Sequence, residues 1–197
     1  MTAPGPADSR RTAASPIFNL AWLFYLLLAA TAVVWIGMRR NATIDGALFF
    51  DPSRWWIDLG LGLGAGVVLI ALWELGGRRF ASARGFEELL RGLLGSLDTT
   101  QAIGLALLSG FAEELFFRGA VQGAWGLWIA TALFAALHTG RDRGLWVWTI
   151  FALLAGAAFG GLALWTGNLL AAMVAHVLVN AINLTRLTRR SEAAPAV

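Results

Sequence analysis

Residues 17 to 38, IFNLAWLFYLLLAATAVVWIGM, carry no charged side chain. A helix needs about 20 residues to cross the hydrocarbon core of a bilayer, and within that core each backbone amide must be paired inside its own segment. Such a run can hardly be anything but a transmembrane helix. Similar runs recur at roughly 55 to 75, 99 to 121, 124 to 140, 145 to 166 and 168 to 187. The pattern predicts an all-α membrane protein, a compact bundle of about six transmembrane helices. Composition agrees: 58% of residues are hydrophobic and 14% charged, where soluble domains have about a quarter charged. Residues 80 to 97 (FASARGFEELLRGLLGSL) mix Phe, Leu, Arg and Glu at helical spacing and predict an amphipathic helix lying in the interface.

The ends are different. Residues 1 to 16 are small, polar and Pro-containing and read as a disordered tail, with a short C-terminal tail at 191 to 197 and a single transmembrane domain over 17 to 190 between them. The first apolar run is too long for a cleaved signal and has no small-residue cleavage site before Arg39, so it is expected to stay as the first helix. Gly60 with Gly64, Gly62 with Gly66, and Gly156 with Gly160 place small residues four apart, which lets helices approach closely. In the second span Glu74 is expected to pair with Arg78 one turn on, and Asp58 to stay wet near the helix end.

All fifteen basic residues are arginines, and all but Arg118 sit in short loops or at the chain ends. Arg10, Arg11, Arg78, Arg79, Arg84, Arg91, Arg141, Arg143, Arg186, Arg189 and Arg190 fall on one side, eleven in all, against Arg39, Arg40 and Arg54 on the other. The positive-inside rule then puts both termini in the cytoplasm, of a bacterial inner (plasma) membrane. No basic stripe of the kind a phosphate backbone needs is present, so nucleic acid is not an expected partner; lipid and a membrane-associated peptide or protein are. With no cysteine, thiolate nucleophiles and Cys-ligated zinc are excluded.

The third span holds three ionisable groups, Glu113, Glu114 and Arg118, where a charge costs several kcal/mol unless it is paired or wet. Glu114 and Arg118 are four apart, with the acid N-terminal to the base, and can neutralise each other. Glu113 points about 100° away and has no cation on its own helix. An unpaired acid of this kind is what a general base requires, although a purely structural cluster of all three would satisfy the same spacing. The chain's two histidines lie one turn after Phe134 (His138) and one turn before Asn180 (His176). His176, Asn180 and Asn183 share one helical face, a polar stripe that must look at a cavity or at other polar groups. Spans drawn this way place Glu113 and His176 near mid-membrane and His138 near the cytoplasmic end of its helix. A free glutamate, two histidines and an amide on three helices suit hydrolysis.

EELFFR, FAALH and HVLVN resemble, in order, the three signatures EExxxR, FxxxH and HxxxN of the CPBP family of intramembrane proteases, also called the CAAX amino-terminal protease or abortive-infection family. The resemblance covers residues 99 to 185. It implies an intramembrane endopeptidase in which Glu113 activates water, His138 helps to hold or polarise it, and His176 and Asn180 donate to the oxyanion. It further implies that Glu114 and Arg118 form a structural pair beside the site and that Phe134 packs against His138. No cofactor is expected. The rival mechanism has Glu113, His138 and His176 ligate Zn(II). Two other readings stand beside the protease: a non-proteolytic scaffold or immunity factor of the same family, and a proton path lined by buried Glu and His. Intact chemical groups at every motif position speak against the first, and the lack of paired broken helices against the second.

Overall fold

The computed structural model describes residues 16–40, 44–79, 97–139 and 145–192, together with 85, 88–90 and 92. The N-terminal tail, most of the expected interfacial helix and residues 193–197 lie outside the described residues, as do Arg10, Arg11, Arg84, Arg91, Arg141 and Arg143. The described residues are helical apart from turns and connecting loops. Helix α1 is Pro16–Arg40, α2 Trp55–Arg79, α3 Thr99–Glu114, α4 Leu127–Leu137, α5 Trp146–Thr166 and α6 Leu170–Glu192.

Four stretches are long and apolar enough to cross a membrane: Ile17–Arg39, Trp55–Gly76, Trp146–Thr166 and Leu170–Thr188. Helix α3 does not stop at Glu114. It continues as a π-helix over Leu115–Gln122 and a final turn at Gly123–Trp125, so the charged span is as long as the others. Asp98 starts it with a capping box: its carboxylate accepts from Gln101 N at 2.7 Å while Gln101 Oε1 accepts from Asp98 N at 3.1 Å. Gly126, at φ 84°, then reverses the chain into α4. At 11 residues, α4 is about 16 Å long, roughly half the hydrocarbon thickness. The fourth expected span is therefore a half-length helix.

Helix α6 packs against α2, α3 and α5, and α1 packs along α3 and the π-helix. The close approach of α2 and α6 rests on one of the two overlapping glycine pairs. A Cβ on Gly62 would stand 2.5 Å from the Ala171 carbonyl oxygen, and one on Gly66 2.9 Å from Leu178 Cδ2, whereas Gly60 and Gly64 face open space. Gly62→Ala should therefore lower stability by about 1–3 kcal/mol, since backbone has to move. Gly64→Ala, the matched control, should be neutral or better in a thermal unfolding series.

One expectation about charges is corrected. Asp58 is not wet but 0% exposed. Arg54 Nε donates to its Oδ1 at 3.1 Å, and Asn168 Nδ2, from the loop after Gly167, donates to its Oδ2 at 2.7 Å. Gly167 ends α5 in the left-handed region at φ 73°, and the turn it makes brings Asn168 back over the start of α2. Glu74 pairs with Arg186 of α6; the side chain of Arg78 lies outside the described residues.

Candidate active site

Glu113, Glu114 and Arg118 are all buried. Arg118 Nη1 donates to Glu114 Oε1 at 2.9 Å, the i,i+4 pair expected from the spacing. Arg118 Nη2 donates to the Gly156 carbonyl at 3.1 Å, and one π-helical turn later Gln122 Nε2 donates to the Gly160 carbonyl at 3.0 Å. The second glycine pair thus does more than allow close packing: it lets two side-chain donors reach α5 backbone. A Cβ on Gly156 would lie 3.2 Å from Phe134 Cδ1 and 3.7 Å from Arg118 Nη2. The guanidinium also lies over the rings of Phe134 at 4.5 Å and Phe159 at 5.3 Å. Buried cations need both an anion and polarisable faces, and this one has them.

Glu114 has a second partner that the spacing alone could not show. Its Oε1 accepts from His176 Nδ1 at 2.6 Å, which fixes that ring so that Nε2 points the other way, toward Glu113 Oε2 at 4.0 Å. Phe159 stacks on the same ring at 4.8 Å and 17°. His138 is held by an equivalent device. It is the residue after the last turn of α4, its Nδ1 donates to the Phe134 carbonyl at 2.7 Å, and its ring lies on Phe134 at 4.3 Å. Its Nε2 stands 3.8 Å from the same Glu113 Oε2. The expected separation in depth between His138 and the other two is thus removed, because α4 is short and its last side chain folds back into the bundle.

Glu113 Oε2 is buried, and among the described residues no group donates a hydrogen bond to it. An unsatisfied buried carboxylate oxygen is costly enough to need a reason. The oxygen borders a cavity of about 430 Å³ that is also lined by Ser109, His138, His176, Asn180 and Asn183. The polar stripe on α6 therefore faces the cavity, as its spacing predicts. Asn180 Nδ2 donates to Ser109 Oγ at 2.9 Å, leaving its second N–H for another acceptor. Toward the far end the walls are Trp73, Trp148, Leu187 and the Glu74–Arg186 pair, the end of the bundle where α2 and α6 finish and α5 begins.

Every candidate site residue, Phe134 included, lies in this arrangement. Sequence reasoning passed over Ser109, Tyr25, Phe159 and Gln122. Ser109 was within reach, since it lies four residues before Glu113 on the same face. As for a metal, no group of three or more His, Asp or Glu among the described residues is arranged to hold an ion. The two Nε2 atoms stand 3.8 and 4.0 Å from Glu113 Oε2, wider than the roughly 3.3 Å between donors on a tetrahedral zinc.

Comparison with known proteins bears on the same half of the chain. Residues 95–182 match the Rce1-like family, described as type II CAAX prenyl endopeptidase Rce1-like. The chain is 44% identical over 82 residues to the uncharacterized protein YpbD of Bacillus subtilis (strain 168), a match covering 41% of this chain and 42% of that protein. The chain thus spans about two fifths of the curated relative it matches. No solved structure matches. The matched segment holds Glu113, Glu114, Arg118, His138, His176 and Asn180 together, and over that segment this membrane protein is similar to the Rce1-like family.

Proposed function

We propose that the chain is an intramembrane endopeptidase that hydrolyses a peptide bond of a membrane-associated peptide or protein, with Glu113 as the general base. The observation that carries this reading is a buried oxygen, Glu113 Oε2, that has no donor among the described residues and is faced by two histidine Nε2 atoms at 3.8 and 4.0 Å. Gaps of that width suit a water that donates one proton to Glu113 Oε2 and the other to His138 Nε2, at about 2.8–3 Å from each. Both Nδ1 atoms are committed as donors, His138 to a carbonyl and His176 to a carboxylate, so in a neutral ring Nε2 accepts. The water donates one proton to Glu113 and its oxygen attacks the substrate carbonyl carbon. The proton on Glu113 then passes to the departing amine as the C–N bond breaks, leaving a carboxylic acid and an amine.

The negative charge on the carbonyl oxygen in the tetrahedral intermediate needs donors. Asn180 has one N–H to spare. His176, its Nδ1 already held by Glu114, becomes a second donor through Nε2 when its ring carries both protons. The apolar cavity walls suit a substrate with an apolar tail. Because the cavity reaches the arginine-rich end of the bundle, the site is assigned to the cytoplasmic side, with both termini there, in a bacterial plasma membrane. CAAX-type or sorting-tail peptides fit these constraints.

The test is cleavage of membrane-anchored peptide libraries by the protein in vesicles, with new termini read by mass spectrometry. Inside-out vesicles should cut added peptide and right-side-out vesicles should not. Treatment with a strong chelator should leave the rate unchanged, with no stoichiometric metal in the purified protein. Loss of activity restored by Zn(II) alone would instead make Glu113, His138 and His176 ligands.

A further inference from the structure

Tyr25 is the only tyrosine of the chain and lies on α1, outside the segment that matches the Rce1-like family. Most of α1 faces outward: Leu20, Leu23, Phe24 and Leu27 are all exposed, as suits lipid. Tyr25 is turned the other way. It lines the same cavity as Glu113, His138, His176 and Asn180, and its phenol lies beside the Glu113 carboxyl. A phenol within a membrane span must find an acceptor, and a carboxylate is the strongest on offer.

We propose that Tyr25 is a positioning residue for the reaction assigned above, donating its O–H to one oxygen of Glu113 so that the other, Oε2, is aimed at the two histidines and the attacking water. The geometry requires such a device. A glutamate side chain has three rotatable bonds, and the carboxylate of a general base must be held within hydrogen-bond reach of the water it deprotonates. Among the charged and titratable groups around Glu113, Arg118 and His176 are committed to Glu114, and His138 faces Oε2 at 3.8 Å. At the cavity's far end Glu74 and Arg186 are engaged with each other. That leaves the α1 phenol to orient the carboxylate. It also gives α1 a part in the chemistry, although the helix carries none of the sequence signatures.

The inference rests on the endopeptidase reading, so its test has an arm that needs no turnover. Tyr25→Phe removes one oxygen and keeps the ring packing. It should lower kcat about tenfold with KM unchanged and thermal unfolding unaltered, whereas a merely structural role would move stability or KM. In parallel, 3-fluorotyrosine incorporated at this one position gives a single 19F resonance. Glu113→Gln should shift it, while Asp58→Asn, a change in the buried carboxylate at the other end of the bundle, should not. A resonance that Glu113→Gln leaves in place overturns the proposal whether or not the protein cuts peptide. So does an active protein whose Tyr25→Phe variant keeps the wild-type kcat. A protein that cuts nothing yet shows the shift overturns the endopeptidase reading and leaves the Tyr25–Glu113 hydrogen bond standing.

Discussion

Glu113→Gln is expected to lower single-turnover cleavage by at least about 10²-fold, because the amide keeps the shape of the side chain but cannot take a proton from water. The protein should remain folded. Oε2 has no donor among the described residues to lose, and replacing a buried carboxylate with a neutral amide removes a desolvated charge, so thermal stability should be unchanged or higher. His138→Ala and His176→Ala should each cause a loss of similar order, by removing the Nε2 atoms that face Glu113 at 3.8 and 4.0 Å. The three differ in one respect. His176→Ala also strips Glu114 of its 2.6 Å partner and should cost stability, while His138, whose other bond is to the Phe134 carbonyl at the helix end, should cost little. Cleavage at the wild-type rate by Glu113→Gln would remove the glutamate mechanism.

How far the sequence reaches can be judged on particular residues. The i,i+4 spacing of Glu114 and Arg118, the cation-free position of Glu113 and the stripe of His176, Asn180 and Asn183 are properties of a single helix, and helical periodicity makes them legible. What links two helices was not. The bond from His176 to Glu114 joins residues 62 apart, and no local pattern encodes it. The same holds for Asn168 and Asp58, 110 apart, which is why an acid expected to be wet is fully buried. The half-length of α4 was hidden for another reason. Residues 124 to 140 are apolar enough to read as a full span, but Gly126 at positive φ starts the helix late and the last turn gives out at His138. The π-helix is likewise invisible to periodicity, since an eight-residue change of pitch is shorter than the window in which a period can be measured.

Glu114 and Arg118 carry the largest expected effect on stability, and the second partner of Glu114 makes the two single changes unequal. The Glu114 side chain is 0% exposed and that of Arg118 1%. Removing either leaves its partner charged in a low-dielectric site, a loss of about 3–5 kcal/mol for a fully buried pair. Glu114→Ala strands Arg118 and also frees the His176 ring, so it should give the poorer yield, the lower unfolding temperature and no activity. Arg118→Ala should be milder, because Glu114 keeps its bond to His176 Nδ1 at 2.6 Å and the Phe134 and Phe159 faces lose only a cation. The double variant Glu114→Gln with Arg118→Met removes both charges and should recover much of the lost stability. Activity should not return with it: the new amide carbonyl at position 114 still accepts from His176 Nδ1, but without a negative charge it holds the ring less firmly toward the site. Unfolding temperature and single-turnover rate, measured on the wild type and these three variants, therefore separate the two roles. If Glu113→Ala unfolds the protein while Glu114→Ala leaves it stable and inactive, the roles are exchanged and Glu114 is the base.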